Sequence, residues 1–117
     1  VLYVLRAIET KGEDIKFDQI CGVFTEDKIE RAREIAINNE TDLWETCYNY
    51  IVIVKIPENT LYVDCYAELF ELYKVVVPPY KTLEEYHKIK LSDVKYEKVK
   101  EEEIPDFILN YFTPFLK

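Results

Sequence analysis

The chain has 117 residues, which fits one domain of ordinary size, here 1–117. Apolar residues make up 49% of it, enough to fill a core and well outside the composition of disordered chains. The net charge of −8 is spread along the chain, with 12 acids and 7 bases in residues 1–60 and 11 and 8 in residues 61–117. A field of that sign disfavours nucleic-acid phosphates and anionic membrane surfaces as partners.

Val1–Ile8 is rich in β-branched and aromatic residues and predicts a first strand. Glu9–Asp18 is polar and contains Gly12, so it reads as an exposed loop. Gln19–Phe24 predicts a second short strand, in which Gly22 marks a bulge or a close backbone approach. Thr25 is the expected N-cap of a helix over Glu26–Asn38. Ile29, Ala32, Ile35 and Ala36 form that helix's apolar stripe, and Asp27–Arg31 and Glu30–Arg33 are spaced to pair on its wet face. Asn38-Asn39 is the expected stop, because asparagine tolerates the left-handed cap position.

Tyr48–Ile56 carries a continuous apolar stretch, which predicts a central strand buried on both faces. Asp64–Lys74 has Glu68, Glu71 and Lys74 at three-residue steps and favours a helix capped by Asp64, with a strand as the alternative. Val75–Val77 runs into Pro78-Pro79. Thr82 with Glu85 predicts a capping box for a short helix over Leu83–Lys90. Val94–Lys100 reads as an edge strand protected by lysines. Pro105 opens a last helix with Phe107, Ile108, Tyr111 and Phe112 on one face, ending before Pro114.

These elements predict an α+β fold: a small mixed sheet with a ββαβ core, packed by helices in a sandwich-like arrangement. Val1–Ile8 and Tyr48–Ile56 are both apolar on two faces, so their sheet needs two covers. One is the Glu26–Asn38 helix; the other is the C-terminal half or a second subunit. Leu2-Tyr3-Val4, Gly22-Val23-Phe24-Thr25, the Glu26–Asn38 helix and Tyr50–Val54 together resemble small uncharacterised ββαβ proteins of phages, archaeal viruses and other mobile elements. The resemblance covers the first half of the chain and implies an origin rather than an activity.

His87, Ser92 and Asp93 are the residue types of a hydrolytic triad, but no glycine elbow surrounds the serine. Ser92 is expected to bond a nearby backbone group, and His87 to point into water. Cys21, Cys47 and Cys65 with His87 and Glu84 lack the paired spacings of a zinc site, and the odd cysteine count suits reduced thiols. Glu84-Glu85 and Glu101–Glu103 read as solvated faces. Two distant glycines make no phosphate cradle. Lys88, Lys90, Lys95, Lys98 and Lys100 gather near Tyr86 and Tyr96, an arrangement that single-strand binders use, but glutamates interleave them.

Neither catalytic residues nor a cofactor or metal site are therefore expected, and no nucleic-acid or membrane partner. Tyr80, Tyr86, Phe107, Tyr111, Phe112 and Phe115 form the candidate interaction surface, since interface cores are enriched in aromatics. The expected function is that of a small acidic, non-enzymatic protein-interaction module, viral or mobile in origin, binding a host protein or itself, with a homodimer as one form. The alternative is a small metal- or carboxylate-dependent hydrolase. No apolar run approaches the ~20 residues of a bilayer span, and Val1–Ile8 meets Arg6 at once, so a cytoplasmic location is expected. A charged complement dominated by Glu and Lys, with one Gln and one Ser, resembles thermophile usage.

Overall fold

A computed structural model describes residues 1–41, 48–59 and 67–112 of the chain. Five strands form one sheet: β1 (Leu2–Lys11), β2 (Asp14–Thr25), β3 (Tyr50–Ile56), β4 (Glu68–Val76) and β5 (Lys95–Lys98). Their spatial order is β2-β1-β3-β4-β5, and every pairing is antiparallel, so the sheet is not mixed. Three helices complete the fold: α1 (Ile29–Ile37), α2 (Leu83–His87) and α3 (Asp106–Phe112). Residues 113–117, which include Phe115 and Pro114, lie outside the described residues, as do Cys47, Asp64 and Cys65.

β3 is the middle strand, as its unbroken apolar run predicts, and Ile51–Val54 are fully buried. Alternation divides the core in two. Tyr3, Leu5, Ala7, Ile51, Ile53, Tyr73 and Tyr96 face α1, whose Ala32 and Ala36 are small enough to bring the helix close to the sheet. Val4, Ile8, Val52, Val54 and Leu72 face α3, which inserts Ile108 and Phe112. The chain's own C-terminal region thus supplies the second cover. Truncating Ile53 to alanine would cost roughly 2–5 kcal/mol, because its site has no solvent to collapse into.

Three local features depart from the sequence expectation. Glu9–Asp18 is not a loop. β1 and β2 continue through it as a ribbon closed by the two residues Gly12-Glu13, with Gly12 at φ +63° in the first turn position. β2 carries two bulges, since Cys21 is extra between the Leu5–Gly22 and Arg6–Ile20 pairs, and Lys16 between Glu9–Phe17 and Thr10–Ile15.

Glu68–Lys74 is strand, not helix. Phe70 is extra between Ile53–Glu71 and Val54–Leu69, so Glu68 and Glu71 share a face although three residues apart. The bulge therefore produces the three-residue polar step that reads as a helix period.

The helix ends follow local chemistry. Asn39 takes φ 58°, with Asn39 N–H bonded to the Ala36 carbonyl (3.2 Å) and Glu40 N–H to that of Ile35 (3.0 Å), a Schellman stop. At the other end Thr25 has extended backbone, but its hydroxyl donates to Asp27 and its side chain accepts from no helix N–H. Arg31 consequently pairs with Glu34 and Glu40 instead of Asp27, while Glu30–Arg33 pairs as expected. α2 stops at His87. Its Thr82 caps Glu85 N–H (3.1 Å), but the Glu85 carboxylate accepts from Lys81 N–H, so the capping box is half made.

Candidate functional site

The catalytic candidates do not assemble. His87 ends α2 exposed, with its ring edge-on to Tyr86 at 5.8 Å. Ser92 sits exposed in the 3-10 turn Leu91–Asp93. The side chain that bonds the backbone of this turn is Asp93, which accepts Lys90 N–H at 3.2 Å, not Ser92. No hydrogen bond joins His87, Ser92 and Asp93 among the described residues. Nor, among those residues, do three His, Cys, Asp or Glu side chains gather in metal-binding distance. Glu101–Glu103 form an exposed 3-10 turn.

The lysine–tyrosine window is likewise divided. Tyr96 is buried and gives its hydroxyl to the Tyr48 carbonyl, so its ring is no stacking platform. Lys98 is held by Glu71 at 3.0 Å.

Glu71 is the most elaborate polar centre. Though only 6% exposed, it accepts from Arg33 Nε (2.9 Å) and Nη2 (3.0 Å), Lys98 Nζ (3.0 Å) and Tyr73 Oη (2.9 Å). Burial alone pushes its carboxyl up, but the hydrogen bonds from Arg33, Lys98 and Tyr73 outweigh that and hold it below the usual range. The bond to Glu71 in turn raises Arg33. Burial, with the same carboxylate second, pushes the Tyr73 hydroxyl up. All four donors point at one carboxylate, which leaves it no acceptor capacity for a substrate. The cluster ties α1 to β4 and β5.

A second cluster ties α3 to the other face. Arg6 pairs with Asp18, which also accepts from the Tyr111 hydroxyl at 2.8 Å, and the Arg6 guanidinium lies 4.9 Å from the Phe112 ring centre. Both clusters join a helix to the sheet.

The expected aromatic surface separates into two groups. Tyr80 and Tyr86 are half exposed and pair at 4.9 Å between ring centres. Phe107, Tyr111 and Phe112 lie on α3, where Phe112 is 2% exposed and belongs to the core, and Phe107 packs against it. Tyr111 keeps an exposed ring but spends its hydroxyl on Asp18. Phe115 lies outside the described residues.

Two features were missed by sequence reasoning. The first is the outer strand β2, where Phe17 is 60% exposed, Ile20 56% and Val23 59%. Ile20 and Val23 lie opposite Arg6 and Val4, so the Cys21 bulge puts both on the face that α3 covers. The apolar residues Ile15, Phe17 and Ile20 inside a stretch read partly as loop are the signal that would have found it.

The second feature is a half-open groove of about 300 Å³ at the end of β4. Val75, Val77, Tyr86, Ile89, Leu91 and Val94 supply its apolar wall. Tyr48, Asn49, His87 and Lys90 complete it. The Asn49 side chain is committed to Thr10 through two bonds, of 2.8 and 2.7 Å. Comparison with protein-family models, with curated proteins and with solved structures finds no match.

Proposed function

We propose that the chain is a non-enzymatic protein-interaction module that pairs an extended strand onto the outer edge of β2, and that a second copy of itself provides such a strand. The observation that carries this reading is an edge strand of 12 residues whose Phe17, Ile20 and Val23 are all more than half exposed. Edge strands of this length present unpaired backbone groups and are ordinarily blunted by charge or proline. β2 contains no proline; its charges are Asp14, Lys16 and Asp18, of which Asp18 is turned inward to Arg6, and its two bulges leave Ile20 and Val23 exposed on one face.

Strand addition would supply main-chain hydrogen bonds, with exposed apolar side chains adding contact area. In an antiparallel pair, opposed residues share a face. A two-fold axis near Gly22 therefore sets Ile20 against Val23 of the second copy, and Val23 against its Ile20. The charge of −8 stands against nucleic-acid phosphates as the alternative partner.

Light scattering at micromolar concentration tests the proposal. Twice the 14.0 kDa chain mass is expected for the wild type, and the monomer mass for the Ile20→Lys/Val23→Lys double variant. A wild type that stays monomeric, or a double variant that still dimerises, overturns it.

A further inference from the structure

Of the grooves described, the one at the end of β4 has a lining with no carboxylate in a protein of net charge −8. The side chains of Lys90 and His87 in that lining have no hydrogen-bond or ion-pair partner among the described residues. The groove between β4 and the turn after β5 is larger, about 550 Å³, but there Glu71 is saturated and Glu101 and Glu102 sit beside Lys98 and Lys100. That lining selects neither sign. The groove beside α1, about 430 Å³, is crossed by the Arg31–Glu40 pair, which is already satisfied.

We infer that the groove formed by the end of β4, α2 and the Leu91 turn binds a small anionic amphiphile, a carboxylate on an apolar body. The volume lies at the lower end of small-molecule sites, which are mainly apolar with few polar groups fixing orientation. Val77, Tyr86 and Leu91 are each more than a third exposed, so the wall is apolar surface that the chain's own packing does not close. Tyr80 packs against Tyr86 with the two rings tilted by 60° and 4.9 Å between their centres.

Tyr48 and Asn49 are already spent. Tyr48 donates its hydroxyl to Gln19 and its carbonyl accepts from the Tyr96 hydroxyl, and Asn49 is bound to Thr10. The side chains left for a ligand are Lys90, His87 and the Tyr86 hydroxyl, of which Lys90 carries the charge. A carboxylate there would be neutralised by Lys90 while its tail lies along Val75, Val77 and Ile89. An ammonium head would be repelled by Lys90 and would find no carboxylate in the lining. The site is independent of the β2 edge, since no β2 residue lines it.

Heteronuclear NMR on the full chain, titrated with decanoate below its micellar concentration, is the test. Saturable shifts are expected at the amides of Tyr86, Ile89 and Leu91. Lys90→Glu is expected to weaken binding about tenfold or more, as losing a hydrogen bond to a charged group does. Lys28→Glu, a charge reversal on an exposed residue outside the groove, should leave affinity within about twofold, and decylammonium should bind at least about tenfold more weakly than decanoate. Decylammonium binding as tightly as decanoate, a folded Lys90→Glu variant with unchanged affinity, shifts confined to Phe17, Ile20 and Val23, or no saturable shift at all would each overturn the inference.

Discussion

Glu71 shows how a charge is kept in a place that burial would empty. The bulge at Phe70 turns its side chain toward α1, where Arg33 meets it with two nitrogens and Lys98 and Tyr73 complete the shell. Because its folded carboxyl lies below its unfolded value, it contributes stability that is present above the ordinary glutamate range, near 4.3, and lost as pH falls through the folded value. Glu71→Gln is expected to cost about 3 kcal/mol at neutral pH, the low end for severing a buried pair, because Arg33 and Lys98 can still reach water. The wild-type advantage should shrink on acidification as Glu71 takes up its proton. Asp27 and Glu40, also held low by Thr25 and Arg31, are common to both proteins, so the difference between the two curves isolates Glu71. Urea denaturation across pH 3–7 measures it; a gap that stays constant with pH would remove the ionic account. The sequence hides this role, since a glutamate three residues from the next polar position looks like a wet helix face.

At the scale of elements, legibility followed regularity. β3 keeps an unbroken apolar run and α1 a regular apolar stripe, and both stand where those patterns predict, with β3 central and Ala32 and Ala36 inward. β2 and β4 each break their period with a bulge. One was therefore read too short, with half its length taken as loop, and the other was read as a helix. The candidate surface suffered from the same limit. Aromatic composition identified Tyr80 and Tyr86 as outward residues but could not separate them from Phe112, because whether a helix face is buried depends on the sheet beneath it. The exposed side of β2 was legible only in part: Ile15, Phe17 and Ile20 mark a strand, but an edge is defined by the neighbour a strand lacks, and its own sequence does not record that. The α1 stop offers a sharper test of local chemistry. Asn39 holds a left-handed backbone, is buried, and its Oδ1 finds no hydrogen-bond partner among the described residues. Asn39→Gly removes both the conformational strain and the unsatisfied oxygen, and should raise stability by about 0.5–1 kcal/mol despite glycine's greater unfolded entropy. Thermal or urea unfolding that shows a loss would mean the side chain contributes packing that outweighs its orphaned oxygen.

The whole molecule sets two long-range effects against each other at β2. Each copy carries −8, so two copies approaching edge to edge repel, while the surface they would bury at Phe17, Ile20 and Val23 is apolar. Repulsion between exposed charges is screened over a Debye length of about 10 Å at 0.1 M salt, whereas apolar burial does not depend on screening. Arg6 and Asp18, the ion pair nearest the edge, are bound to one another and to Tyr111 within the same chain, so they offer no charge for a cross-copy pair. Self-association through β2 should therefore strengthen as salt rises from about 0.05 to about 0.5 M, the reverse of an interface built on ion pairs. Sedimentation equilibrium at several salt concentrations gives the dimer constant directly, and hydrogen exchange on the same samples should show the amides around Ile20 and Val23 gaining protection as the dimer fills. A dimer that dissociates on adding salt would place its contacts at charged residues and take the β2 edge out of the interface.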